Sequence, residues 1–300
     1  MRINPLTAGV LDDRLEGFGV EGVPHANVFT AAGVATRDFA WLRRNTPDDA
    51  ACVILDVTSA EACIGVMGPQ ARALMQSVSP NDLSNEAFPF GTAQTISVGM
   101  GDLRAHRISY VGELGWELYP SADMAVHIFD TLSEAGAEHG LRLCGYHTLD
   151  SCRMEKAFRH FGHDITDEDH VLEAGLGFAV RTDKAEGRFG PFMGREAVLR
   201  RRESGLERRL LQFCLADSDA LIYHNEPILR DGQVVGRLTS GAYGHALGAA
   251  VGLGYVPCRP EMSAQEVLEA DYAIDVAGNL IPAKASLRPL YDPKATRMRA

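Results

Sequence analysis

The spacing of apolar residues changes character near residue 205, and that change limits the folds open to this chain more than any other feature. Before it, runs of period two and runs of period 3.6 are interleaved. Residues 52–57 (CVILDV) form a short β-rich run, and Gly68-Pro69 opens a helical stretch over 70–78, with proline near the first turn where its missing N–H is not needed. Residues 94–98 and 104–110 flank Gly99-Met100-Gly101-Asp102, a hairpin-like connection. A third run covers 116–119. Ser121 is a good N-cap for a helix that places Ala125, Ile128, Phe129, Leu132 and Ala135 on one face before Gly140 ends it. A second helix covers about 146–158. Helices packed on antiparallel strands make an α+β layer.

After the Arg-rich stretch around 200–209, helical period nearly vanishes. Residues 226–230 and 233–239 flank Asp231-Gly232, the strongest hairpin marker in the chain. Runs at 250–256, 271–276 and 280–285 follow, with Gly278-Asn279 as another turn. The expected organisation is an α+β domain over 1–205 followed by a small all-β domain, a barrel, over 206–300. Three hundred residues are enough for two domains without disulfide staples.

Composition excludes several classes. With 46% hydrophobic and 23% charged residues the chain is an ordinary globular one. Its longest apolar run, 246–258, is too short to cross a bilayer, and no secretory signal follows Met1. Net charge is −11, which argues against a duplex nucleic-acid partner. The five Arg and two Glu of 200–209 read as a solvated connector. Six cysteines without a C-x-x-C pair, each among apolar neighbours, read as buried reduced thiols of a cytoplasmic protein. The expectation is therefore no membrane and no nucleic acid.

No phosphate loop, dinucleotide fingerprint or nucleophile elbow is present. The stretch 159–170 holds three His and four acids. It lacks calcium-loop spacing and the H-x-x-x-H helix pattern, so no metal is expected and a solvated loop is the preferred reading. Asp150, Arg153 and Glu155 read as ion pairs that clamp the second helix onto the sheet. Asp12-Asp13 reads as a turn after a short strand. Alternation along 116–119 puts Trp116 and Leu118 on one face, Glu117 and Tyr119 on the other. An acid beside an aromatic ring can hold a flat heterocycle, the carboxylate taking two N–H donors. An ordinary half-exposed strand is the competing reading.

Taken together, RISYVGELGWELYP (107–120), GYHTLDSCRMEKAFRHFGHDIT (145–166), EAGLGFAV (173–180) and EPILRDGQVVGRLTSGAYGHALGAAVGLGYV (226–256) resemble the aminomethyltransferase, or glycine-cleavage T-protein, superfamily. Within it the likeness is to the C-terminal folate-binding half of dimethylglycine and sarcosine dehydrogenases. The resemblance implies a T-protein-like folate domain followed by a β-barrel, and tetrahydrofolate as cofactor. It implies one-carbon transfer from a small methylated amine to give 5,10-methylenetetrahydrofolate, linked to a flavoprotein domain or subunit. No FAD-binding motif lies in this chain. Asp12 matches the family's catalytic acid beside the reactive folate nitrogens. Glu117 matches its pterin-binding acid, with Tyr119 and Tyr110 as neighbours in the folate channel. Leu149 stands where glycine-cleavage T-proteins carry an Arg, which points toward the dehydrogenase branch, and Ala8 replaces the first glycine of the acidic turn. Met1 precedes Asp12 by only eleven residues. That spacing implies a missing upstream segment, so a non-catalytic folate-binding or regulatory module, or a truncated fragment of a larger dehydrogenase, is the alternative expectation.

Overall fold

The computed structural model describes residues 27–182 and 192–300. The chain packs as two compact units. The first comprises, among the described residues, 27–144 together with Lys294–Ala300. It contains helix α1 (Ala35–Asn45), strand β1 (Ile64–Met67), helix α2 (Ala71–Val78), strands β2 (Ala93–Val98), β3 (Gly101–His106) and β4 (Gly115–Tyr119), and helix α3 (Ala125–Gly136). The strands form one antiparallel sheet in the order β1-β4-β3-β2. Its apolar face carries Val66, Ile96, Leu103, Ala105, Trp116 and Leu118, and packs with Leu74 and Met75 of α2 and Ile128 and Leu132 of α3. Gly115 is required where β4 meets β1, because a Cβ there would lie 2.4 Å from the Val66 carbonyl oxygen.

The second unit lies within Gly145–Pro293. It holds helices α4 (Tyr146–Glu155) and α5 (Arg195–Ser204), strands β5 (Arg208–Leu215), β6 (Pro227–Arg230), β7 (Gln233–Gly244) and β8 (Ala249–Pro257), a short helix α6 (Ala264–Leu268), and strands β9 (Tyr272–Val276) and β10 (Asn279–Ser286). The six strands close into a barrel in the order β10-β5-β8-β7-β6-β9, which leaves no open edge. Asp231 and Gly232 both have positive φ, 51° and 77°, the conformation a two-residue hairpin turn demands. The long apolar run 246–258 is accounted for by β8, buried along nearly its whole length.

Helix α4 is held to the barrel by buried charge. Arg153 donates to Asp150, to Asp164 at 2.6 Å and to the Ser240 hydroxyl. Glu155 accepts from the backbone N–H groups of Ala246 and Leu247. Lys156 reaches Asp292, and Gln212 of β5 donates to the carbonyls of Met154 and Glu155.

Several sequence expectations need correction. The clamp formed by Arg153 and Glu155 grips the barrel rather than the sheet of the first unit. Residues 159–170 are a solvated loop only in part: Gly162, His163, Asp167 and Glu168 are exposed, but Asp164 is fully buried between Arg153, Thr239 and the His160 N–H. The Arg-rich connector is largely helical, as α5, and its charge is matched by acids, Arg201 and Arg208 pairing with Glu173, Glu207 and Asp169. Residues 52–57 form no strand, since no described segment pairs with them, and Val53 and Leu55 are exposed. The cysteines are not buried: Cys52, Cys63 and Cys144 are exposed and the other three are half-buried, all unbridged. Helix α3 starts after Met124 without a Ser121 side-chain cap and leaves Phe129 exposed. The last turn sits one residue earlier than expected, on Ala277-Gly278. Among the described residues no helix is long and apolar enough to cross a membrane.

Candidate functional site

The second face of the first unit's sheet is polar. Alternation on β4 turns Glu117 and Tyr119 onto it while Trp116 and Leu118 enter the core. Register then determines the neighbours. His106 of β3 lies directly opposite Glu117, and Arg104 lies opposite Tyr119. On the other side of Glu117 stands Gly65 of β1, which presents no side chain. Directly opposed residues on one sheet face are in side-chain contact range.

These side chains form one connected cluster. The Tyr119 hydroxyl donates to Glu117 Oε2 at 2.6 Å. The rings of His106 and Tyr119 lie 4.7 Å apart, and Phe29 packs against both, at 5.1 and 4.9 Å. The Arg104 guanidinium sits 5.2 Å from the Tyr119 ring and 5.6 Å from the Phe29 ring while pairing with Glu61 at 2.5 Å. Arg104 and His106 are both more than nine-tenths buried, yet Arg104 Nε and His106 Nε2 have no hydrogen-bond partner among the described residues. Leaving such a buried group unmatched costs about 1–3 kcal/mol.

Burial shapes the protonation states here. It pushes the Glu117 carboxyl up, and the Tyr119 hydroxyl bond partly restrains it. Burial, reinforced by the Glu117 charge, raises Tyr119, which stays a phenol and a donor. Desolvation of the thiol and the Glu117 charge also raise Cys63, although that residue as a whole is exposed. Burial, with the Arg104 charge second, lowers His106 to about 4, so its imidazole is neutral at ordinary pH. The unfolded chain takes up this proton near pH 6.5 and the folded chain only near 4, so stability falls as pH drops through that window. Glu117 acts in the opposite sense, because its raised carboxyl favours the folded state as pH falls. The His106 contribution is therefore isolated by comparison with His106→Gln. Between pH 6.5 and 5 the parent should lose about 1.5 kcal/mol more unfolding free energy than the variant. Denaturant melts at the two pH values measure this, and equal losses would refute it.

Glu117 and Tyr119 are thus brought together. Tyr110 is half-buried in the connection between β3 and β4, off the strand pair that carries the acid. Asp12 lies outside the described residues. Sequence reasoning missed Phe29, Arg104 and His106. Of these, only the β3 pair could have been found, by writing β3 against β4 in register, which puts Arg104 and His106 on the Glu117 face.

Residues 24–184 match the model of the GCVT N-terminal domain, and residues 208–292 match that of the glycine cleavage T-protein C-terminal barrel domain. The chain belongs to the glycine cleavage T-protein (aminomethyltransferase) family. It is 42% identical over 278 residues to 4-methylaminobutanoate oxidase (formaldehyde-forming) of Paenarthrobacter nicotinovorans, an alignment covering 93% of this chain and 32% of that protein. It is 36% identical over 276 residues to human mitochondrial sarcosine dehydrogenase, covering 90% of this chain and 30% of that protein. The chain thus spans about a third of the length of these relatives. The crystal structure of the glycine cleavage system aminomethyltransferase T from Bartonella henselae shares the fold, with a TM-score of 0.72 at 24% identity over 89% of this chain and 68% of that one.

Proposed function

We propose that this chain binds tetrahydrofolate on the Glu117 face and serves as the one-carbon-capturing part of an amine-oxidising flavoenzyme. The observation that carries the reading is the half-buried Glu117–Tyr119 pair set across from His106 on the polar sheet face. A carboxylate there accepts from the amide N–H and amino group of the pterin edge, while Tyr119 keeps one of its oxygens oriented. The two orphaned nitrogens fit a polar ligand that partners them. Family membership, together with relatives whose names specify N-methylated amines and formaldehyde formation, supports the choice of folate and of a small methylated amine.

Tetrahydrofolate, when bound, supplies the two nitrogens that take up the methylene unit. The balanced reaction joins an iminium, R2N⁺=CH2, to tetrahydrofolate and yields 5,10-methylenetetrahydrofolate and R2NH2⁺. Oxidation of the amine to the iminium belongs to a flavin unit, within the same polypeptide or a separate subunit. In this reading Asp12 orients the amine and stabilises its cationic charge. Asp12→Asn should therefore lower methylene transfer at least tenfold while leaving tetrahydrofolate affinity within about twofold. Transfer is followed as methylenetetrahydrofolate formed from tetrahydrofolate with formaldehyde as the one-carbon source. Parent-like turnover by the variant would remove Asp12 from the site. A parent that binds folate yet never forms the product would make the chain a folate-binding module.

A further inference from the structure

We propose that His106 is the specificity-determining residue of the Glu117 site, its Nε2–H donating to the ring carbonyl of a 2-amino-4-oxo heterocycle. The inference rests on the folate reading above. Three observations carry it. His106 is the residue directly opposite Glu117 across the β3–β4 ladder. The other neighbour of Glu117 in that row, Gly65, has no side-chain atom to offer. Among the described residues, Nε2 of His106 is buried without a partner although the ring is held between Phe29 and Tyr119.

The chemistry of the ring edge supplies the rest. When a carboxylate accepts from the 2-amino group and from N3–H, the next atom along that edge is the carbonyl at C4, an acceptor with no donor yet assigned. A neutral imidazole has one N–H, and the carboxylate opposite favours the tautomer that turns a hydrogen toward the shared ligand space. A 4-amino ligand would set N–H against N–H at this point, and a buried donor without an acceptor is rejected strongly. Nε2 is buried, so an entering ring must displace part of its cover, and Phe29, packed edge-on against the His106 ring, is the aromatic neighbour it would compete with.

The test is anaerobic calorimetry of the purified chain with tetrahydrofolate and with its 4-amino-4-deoxy analogue. The parent should prefer the 4-oxo ligand by about tenfold or more. His106→Phe keeps an aromatic ring for Phe29 and Tyr119, and should weaken tetrahydrofolate about tenfold while leaving the 4-amino ligand unchanged, so the preference falls by about that factor, the part set at Glu117 by the missing N3–H of the 4-amino ring being common to parent and variant. His106→Gln, whose amide can donate from the same region, should restore most of the preference, and Phe29→Ala should leave it intact. Circular dichroism establishes that each variant is folded. A parent-level preference in His106→Phe, a parent that prefers the 4-amino ligand, or loss of preference in Phe29→Ala would overturn the assignment of His106 while leaving folate binding at Glu117 standing. A parent that binds neither ligand would overturn the folate reading and this assignment with it.

Discussion

Glu117→Gln should weaken tetrahydrofolate binding about a hundredfold without unfolding the chain. The carboxylate is expected to accept two hydrogen bonds from the pterin edge. The amide keeps one acceptor and replaces the other by an N–H that opposes a ligand N–H. Losing one charge-assisted bond and creating one donor clash amounts to about 3 kcal/mol, or two decades of affinity. The substitution also removes a carboxyl whose burial penalises its charge, so thermal stability should hold or rise slightly. Calorimetric titration beside a thermal melt separates the two effects. Affinity within threefold of the parent would take Glu117 out of the ligand site, and with it the reading of this sheet face.

The largest effect on stability is expected at Arg153, in the second unit. Arg153→Met leaves Asp164 fully buried with its countercharge removed and strips the Ser240 hydroxyl of its donor. Breaking a buried pair by deleting one partner costs about 3–5 kcal/mol. For a unit of this size each kcal/mol shifts the midpoint by about 2–4 °C, so a fall of roughly 10 °C is expected. The double variant Arg153→Met with Asp164→Leu should recover part of that loss, because the fully buried carboxylate is then gone. A single variant that melts within about 3 °C of the parent would show that Asp164 finds other compensation.

The elements that could be read from sequence are those whose pattern is local. The hairpin of β2 and β3, strand β4 and the turn at Asp231-Gly232 follow from period-two alternation and from turn residues with positive φ. Glu117 and Tyr119 could be assigned to a common face for the same reason. Arg104 and His106 needed the β3–β4 register in addition to that alternation, and Phe29 could not be placed beside them, since it comes from a segment distant in sequence. The stretch 159–170 was illegible for a related reason. Charged residues resemble a solvated loop until their partners are known, and Thr239 and Ser240, the barrel residues that complete the network of Asp164 and Arg153, lie some seventy-five or more positions away. Residues 52–57 show the converse: β propensity states what a segment fits, not whether a partner strand exists.

The clamp on α4 also orders events in time. Beyond the local pairs of Arg153 with Asp150 and Asp164, Arg153, Glu155 and Lys156 each take a partner far downstream, at 87, 91 and 136 residues. Translation proceeds from the N-terminus, so the helix leaves the ribosome well before Ser240, Ala246 or Asp292 has been made. Until those partners arrive, Glu155 and Lys156 lack the groups that hold them in the interior, and Arg153 has only its local acids. The closing steps of this unit's folding must therefore dehydrate ions as well as bury apolar surface.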